Sequence, residues 1–368
     1  MLRTQYRYTN GSSSSEDWLV RSVVGMAVTV LALHVIGWGT LLLFVAPGHH
    51  VVQGAVFGVG LGVTAYTLGM RHAFDADHIA AIDNTTRKLV AENGKHRVQT
   101  VGFWFALGHS SVVFILVALL AFGVRALAAN LEDQDSGLQR WTGLWGTGVS
   151  GTFLIVIGLL NLASLLGIWR VFRRMRKGDF DEAQLERELD SRGLLNRVLA
   201  PVVRLVEKPW QMFPVGLLFG LGFDTVTEVG LLVIAGGAAA TGLPWYSILV
   251  LPVLFSAGMA LFDSLDGSFM SYAYDWAFAE PVRKIYYNLV ITGLSVAVAL
   301  LIGGQEIVSI FAERLEVESG IVAWIGNLDL GDLGYIVAGL FVATWVVAAA
   351  IWRFAGVERR WQGDLAPK

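Results

Sequence analysis

The segment from Arg71 to His78 reads Arg-His-Ala-Phe-Asp-Ala-Asp-His and brings together two imidazoles, two carboxylates and a guanidinium. Imidazole and carboxylate groups are suitable ligands for divalent transition metals. The surrounding sequence is strongly apolar, and ionisable groups inside a membrane are costly unless they pair or bind a cation. The segment therefore predicts a divalent-metal site. The alternative is a buried cluster of ion pairs that only fixes helix packing.

The spacing of these residues suggests which of them act together. If the segment is helical, His72, Asp75 and His78 follow one another at i, i+3 and i+6 and share one helix face. The simplest division of roles makes these three the metal ligands. Asp77 points elsewhere, and is either a hydrogen-bond acceptor behind the ligands, a partner of Arg71 or the carboxylate ligand in place of Asp75.

The composition indicates the environment of this segment. The chain has 368 residues, of which 55% are hydrophobic and 15% charged, too few charges for an ordinary water-exposed surface. A helix that crosses a bilayer needs about 20 apolar residues. We therefore predict an all-α polytopic membrane protein with about eight spans, at approximate residues 22–46, 54–83, 100–128, 143–168, 212–240, 245–272, 285–303 and 333–354.

The distribution of basic residues predicts the orientation. Most of the 27 Lys and Arg residues fall before the first span, after the second, between 170 and 208, after the sixth, or at the C-terminal end. These segments share one side of the membrane, so both termini are expected in the cytoplasm. The expected regions are a tail (1–21), spans one to four (22–168), a basic loop with an interfacial helix (169–211), spans five to eight (212–354) and a second tail (355–368).

The sequence does not decide whether the second predicted span is one straight helix. It runs for about 30 residues, which would make a continuous helix of roughly 45 Å. That length exceeds the hydrocarbon thickness of roughly 30 Å. The span is therefore tilted, extends into the cytoplasm, or is broken at the histidine motif.

Three further segments place polar residues inside predicted spans. Taken singly, each could serve interhelical hydrogen bonding, but together they favour a shared polar cavity. Two of the carboxylates are one helical turn apart, which suits joint contact with a cation or a shared proton. The ionisable residues of these segments are His109 in the third span, Asp224 and Glu228 in the fifth, and Asp263 and Asp266 in the sixth.

Several observations narrow the function. The chain has no cysteine, so nitrogen and oxygen donors must hold any metal. It has neither a His-Glu-x-x-His zinc motif nor a phosphate-binding Gly-x4-Gly-Lys-Ser/Thr loop. An intramembrane metalloenzyme is therefore a remote alternative, and a divalent-metal exporter is the nearer one, although the predicted cytoplasmic loops lack the His-rich segment that would favour export.

The quoted motifs resemble those of the nickel/cobalt transporter family, the single-chain permeases of prokaryotes. The family's His-x4-Asp-His pattern is matched by His72, Asp77 and His78. Three other signatures look like Leu-Gly-His-Ser at 107–110, Leu-Gly-Phe-Asp-Thr-x-Thr-Glu at 221–228 and Gly-Met-x-Leu-Phe-Asp-x-x-Asp-Gly at 258–267. Four motifs in the same order are a far more specific signal than any one of them.

The resemblance implies import of Ni²⁺ or Co²⁺ across the cytoplasmic membrane by a multi-pass protein. The metal is then the transported substrate, and no cofactor, nucleic acid or ATPase subunit is expected; the oligomeric state stays open. His34 and Phe74 resemble the branch that accepts cobalt as well as nickel. From its surroundings alone, His34 is a lone imidazole on an apolar helix and is more typical of packing than of ligation.

Overall fold

A computed structural model describes residues 12–52, 55–93, 98–122, 137–175, 206–221, 226–240, 243–278, 281–317, 319–328 and 333–354. These residues are almost entirely helical. A two-residue antiparallel pair, β1 (Val51–Val52) with β2 (Ala55–Val56), joins the first two helices and pairs Val51 with Val56. The all-α fold class expected from the sequence is confirmed.

The helices follow one another along the chain with short connections. The first continues as a π-turn at Leu41–Val45 and a 3₁₀ turn at Ala46–Gly48. Their bounds are α1 Ser12–Thr40, α2 Val59–His72, α3 Ala76–Asn93, α4 Val101–Ala121, α5 Gly137–Met175, α6 Met212–Phe219, α7 Val226–Ala240, α8 Trp245–Phe278, α9 Pro281–Arg314, α10 Ile321–Gly326 and α11 Leu333–Phe354.

Five of the described helices contain stretches long and apolar enough to cross a membrane. These stretches are Val20–Gly48, Val101–Ala121, Leu144–Gly167, Trp245–Trp276 and Leu289–Arg314, and α11 contributes a shorter apolar one at Leu333–Ala348. Along α1, Leu31 and Val35 each leave 63% of their surface exposed. Exposed apolar side chains on an apolar helix are the surface expected to face lipid. The chain is a multi-pass membrane protein.

The second predicted span is two helices. Of the alternatives that the sequence left open for residues 54–83, the structure has the break at the histidine motif: α2 ends at His72 after 14 residues, and α3 begins at Ala76 and runs for 18. The condition under which His72, Asp75 and His78 would share one face is therefore not met. The predicted fifth span corresponds to α6 and α7, which flank residues 222–225 outside the described part.

Two other predicted boundaries can be compared with the structure. The helix α1 begins at Ser12, so it includes residues that the sequence placed in the N-terminal tail. The predicted interfacial helix of the basic loop falls mainly on residues 176–205, which lie outside the described ranges.

The functional segments are held by close packing around α4 and α8. Both helices are largely buried, and α8 contacts α1, α2, α3 and α4. The contact between α4 and α6 depends on two glycines: a Cβ at Gly108 would collide with the backbone carbonyl of Phe213, and one at Gly216 with that of Phe105. Small residues at such crossings allow helix backbones in a membrane to approach closely.

Candidate metal site

The break between α2 and α3 follows from the charges on either side of it. Arg71 and His72 form the last turn of α2, where positive charge complements the carbonyl end of the helix, and Asp77 lies in the first turn of α3. Asp75 immediately precedes α3, and its carbonyl accepts the N–H of Ile79 at 3.2 Å. Aspartate is a favoured residue at a helix N-terminus. The sequence is therefore locally suited to end one helix and begin another within three residues.

The chain is tightly packed at this break. Its tight turn includes a hydrogen bond from the Asp75 N–H to the His72 carbonyl at 2.9 Å. The beginning of α11 lies directly against the turn, because a Cβ at Gly334 would collide with the Phe74 carbonyl. The Phe74 ring stacks on Tyr335 with centroids 5.0 Å apart and contacts Phe262 at 5.5 Å. The turn is thus clamped between α8 and α11.

Three imidazoles converge beside this turn. His72, His78 and His109 each offer a ring nitrogen, and these atoms all lie within 4.8 Å of one another. The rings are 4.6 to 4.8 Å apart by centroid, and all three side chains are buried. We call these three residues the histidine cluster. It joins the end of α2, the first turn of α3 and the middle of α4.

The closest pair has the separation of two ligands on one metal ion. His72 Nε2 and His109 Nε2 are 2.9 Å apart, which allows one neutral imidazole to donate to the other. Two metal–nitrogen bonds of about 2.1 Å that meet at a right angle separate their nitrogens by about 3 Å. The same two imidazoles can therefore act as adjacent ligands with little movement.

Carboxylates lie behind two of the imidazoles. Asp75 Oδ2 is 2.8 Å from His72 Nδ1, and Asp263 Oδ2 is 3.5 Å from His78 Nδ1. A carboxylate on the second ring nitrogen orients a metal-binding imidazole and makes it a better ligand. Asp75 is therefore placed to orient His72, with Asp263 of α8 on the far side of His78.

His78 is the least satisfied member of the cluster. Neither of its ring nitrogens has a hydrogen-bond partner among the described residues, although the side chain is fully buried. A buried polar group without a partner costs about 1 to 3 kcal/mol. The Asp263 carboxylate approaches His78 Nδ1 only to 3.5 Å, and Phe105 packs against the ring with centroids 4.7 Å apart. A metal ion bound to the imidazole would supply the missing interaction.

The other residues singled out from the sequence occupy varied positions. Arg71 and Asp77 flank the break and are partly buried. His34 lies away from the cluster in α1, where Nδ1 contacts the Val30 carbonyl at 2.8 Å and Nε2 contacts the Tyr66 hydroxyl at 3.2 Å. Both ring nitrogens of His34 are engaged, as expected of a packing residue.

The remaining carboxylates of the prediction are only partly described. Asp263 lies beside His78 of the histidine cluster, and Asp266 follows one turn later in α8. Asp224 lies outside the described residues. Glu228 belongs to α7, but its side chain is also outside the described part, so the predicted pair with Asp224 stays a prediction.

Sequence reasoning missed a second polar group next to the cluster. After His78, α3 contains the run Asp83-Asn84-Thr85-Thr86-Arg87, and all five residues are buried. Tyr274 of α8 donates to Asp83 Oδ1 at 2.5 Å. The available signal was the density of polar residues at the end of a predicted span, which alone is typical of a helix emerging into water.

Comparisons with known proteins identify the family of this chain. Residues 58–351 match the family model described as high-affinity nickel-transport protein. The nickel transporter NicT of Mycobacterium tuberculosis is 55% identical over 336 residues, covering 91% of this chain and 90% of that protein. The nickel transporter NixA of Staphylococcus aureus is 44% identical, with 90% and 94% covered.

A cobalt transporter is also among the relatives. The cobalt transport protein NhlF of Rhodococcus rhodochrous is 40% identical over 331 residues, covering 89% of this chain and 90% of that protein. No solved structure matches the chain. The family match covers both helices of the break, α4, and the α8 segment that carries Asp263. The chain belongs to the family of high-affinity nickel-transport proteins, and it is a transporter and not an enzyme.

Proposed function

We propose that this chain imports Ni²⁺, Co²⁺ or both across the cytoplasmic membrane, and that the histidine cluster binds the ion during passage. The observation that carries the proposal is the convergence of three buried imidazoles at a helix break. Imidazole is a good ligand for both metals. Relatives named as nickel and cobalt transporters support the same two substrates.

The proposed site assigns a role to each nearby group. His72, His78 and His109 are the ion's nitrogen ligands. Asp75 orients His72, and Asp263 orients His78, across the distances given above. Asp77, in the first turn of α3, is a further carboxylate at the break that an entering ion can meet. Under this assignment Asp224, Glu228 and Asp266 line the route, and Arg71 balances the carboxylates at the break.

The proposed topology contains about eight membrane crossings, each of which needs about 20 residues when straight. The five long helices supply five crossings, α11 supplies one, and the pairs α2–α3 and α6–α7 supply one each. Both termini and the basic loop over 169–211 are then cytoplasmic, as the distribution of Lys and Arg favours. Broken helices occur at membrane depth where they line a binding site.

The driving force requires no nucleotide. Moving two positive charges inward along a membrane potential releases about 4.6 kcal/mol per 100 mV. The purified chain in liposomes should therefore accumulate radioactive nickel or cobalt when the interior is made negative with a potassium gradient and valinomycin. Each metal should compete with the other.

Two controls decide between import and other interpretations. Liposomes without the protein report leakage, and a reversed potential should reduce accumulation. Uptake of equal size at either sign of the membrane potential would contradict charge-driven import. If the protein increased the uptake of neither metal, the proposal would be overturned.

Phe74 is expected to influence the choice between the two metals. Its ring is held between Tyr335 and Phe262, so Phe74→Val removes contacts that fix the turn between His72 and His78. Nickel and cobalt differ in preferred geometry. We expect the ratio of nickel to cobalt uptake to change by about threefold or more, equivalent to about 0.7 kcal/mol. An unchanged ratio in dual-label uptake, at equal protein level, would refute this role.

A further inference from the structure

Carboxylates with buried oxygen atoms continue along α3 and α8 beyond the histidine cluster. Asp263 and Asp266 are one turn apart on α8, and Asp83 is five residues after His78 on α3, a rise of about 7.5 Å. The two helices are in contact at this level: Gly267, next to Asp266, would bring a Cβ to 3.4 Å from Ile82 Cγ2, next to Asp83. Asp83 and Asp266 interact electrostatically. We call these two residues the carboxylate pair.

The oxygens of the carboxylate pair are incompletely satisfied. Asp83 Oδ1 accepts the Tyr274 hydroxyl, and the Ser295 hydroxyl also interacts with the Asp83 carboxylate. Asp83 Oδ2 and Asp266 Oδ2 are buried and have no hydrogen-bond partner among the described residues. Thr86, one turn after Asp83, is also fully buried, and its hydroxyl has no hydrogen-bond partner within the same part of the chain. Three oxygen donors are therefore left without a bond on adjoining turns of two packed helices.

The carboxyl groups of this region outnumber the guanidinium that interacts with Asp83. Arg87 is buried, interacts with Asp83 and donates to the Thr292 hydroxyl at 3.1 Å. When the carboxyl groups of Asp83, Asp263 and Asp266 are all ionised and the imidazoles are neutral, the three carboxylates exceed this guanidinium by two negative charges. Buried charges are normally paired or bound to a metal. One divalent cation would restore the balance.

We propose that the carboxylate pair is a second binding station for the transported cation, which receives the ion from the histidine cluster through oxygen ligands. This inference rests on the proposed function, under which α3 leads toward the cytoplasm. Nitrogen donors hold nickel and cobalt more strongly than oxygen donors do. Conduction requires an ion to leave as readily as it enters, which several sites of graded strength allow.

The test counts bound ions on the purified full-length chain in detergent, by equilibrium dialysis with radioactive Ni²⁺. The wild-type protein should bind two ions, the tighter at the histidine cluster. Asp83→Asn keeps an acceptor for the Tyr274 hydroxyl but removes the charge, and we expect it to weaken the second ion about tenfold or more while the first is retained. Asp266→Asn is an independent variant with the same expectation.

A matched control removes a carboxylate from another part of the bundle. Glu306 of α9 accepts a hydrogen bond from Ser150 at 3.1 Å, and Glu306→Gln should leave both ions bound. The variant His72→Ala/His109→Ala should lose the tighter ion and keep the second, whose X-ray absorption spectrum should show oxygen ligands and no imidazole scattering.

The possible failures are distinguishable. One bound ion in the wild type, lost on removal of the histidines, would overturn the second station and leave the proposed function standing. Two ions whose affinities are the same in Asp83→Asn, Asp266→Asn and Glu306→Gln would assign the carboxylate pair to packing. Failure of the wild type to bind any Ni²⁺ would overturn both proposals.

Discussion

Replacing His72 by alanine is expected to reduce nickel and cobalt uptake by at least about 100-fold in cells that make equal amounts of the protein. The substitution removes a nitrogen 2.9 Å from His109 Nε2 and leaves Asp75 without the imidazole that it contacts at 2.8 Å. Loss of a group that merely orients a metal ligand already costs about 10- to 100-fold in affinity or activity, and His72 is assigned here as a ligand. Radioactive uptake over the first minute measures the effect.

A matched histidine shows whether the effect belongs to the site. His50 lies in the connection before β1, so His50→Ala removes one imidazole from a position outside the cluster and should retain most of the uptake. The unfolding temperature of the solubilised His72→Ala protein should stay near that of the wild type. If the folded His72→Ala variant took up as much metal as His50→Ala, the histidine cluster would serve helix packing and not metal binding.

The sequence alone was sufficient to predict the fold class and to single out His72 and His78 as candidate ligands, two of the three histidines that converge in the structure. Composition and apolar length indicate a multi-pass helical protein because a bilayer imposes both. The types of side chain at 72, 75, 77 and 78 indicate metal chemistry whatever their geometry. Both inferences depend on local composition and not on the tertiary arrangement.

The arrangement of the site required the structure. A continuous helix would have made Asp75 a third ligand on the same face as His72 and His78, whereas the break turns Asp75 toward the far side of His72 and places His109 of α4 next to His72. The capping signals are present in the sequence, with basic residues before the turn and aspartates after it. In the sequence these capping residues could not be told apart from metal ligands, because histidine and aspartate are suited both to helix ends and to metal binding.

Long-range pairing was equally inaccessible to sequence reasoning. The contact of His78 with Asp263 and that of Asp83 with Tyr274 join residues more than 180 positions apart, and no local pattern encodes which helices meet. Asp83 was overlooked for a related reason: at the end of a predicted span, a polar run is normally solvated. Here α3 is covered by α8, α9 and α5, so the same run is buried and its charge must be balanced within the protein.

The glycine pair between α4 and α6 is also expected to be important to the site, because it sets the position of His109. Gly108 precedes His109, and a Cβ on it would lie 2.0 Å from the Phe213 carbonyl oxygen. A Cβ on Gly216 would lie 2.1 Å from the Phe105 carbonyl oxygen and 3.1 Å from the backbone nitrogen of His109. Backbone atoms cannot rotate away as side chains do. Gly108→Ala should therefore force the two helices apart and shift His109 relative to His72.

We expect Gly108→Ala and Gly216→Ala each to cost about 1 to 3 kcal/mol of stability, the usual cost of overpacking, and to reduce uptake about tenfold or more through displacement of a ligand. Alanine is the better helix former by about 1 kcal/mol, so propensity alone predicts the opposite sign. Gly39→Ala supplies the matched control, because a Cβ there meets no heavy atom within 4 Å. Unfolding temperature, uptake and Ni²⁺ binding should fall together in the two crossing variants. In the control, uptake and Ni²⁺ binding should stay unchanged and the unfolding temperature should stay the same or rise. Equal behaviour of all three would show that the close approach of α4 and α6 does not position His109.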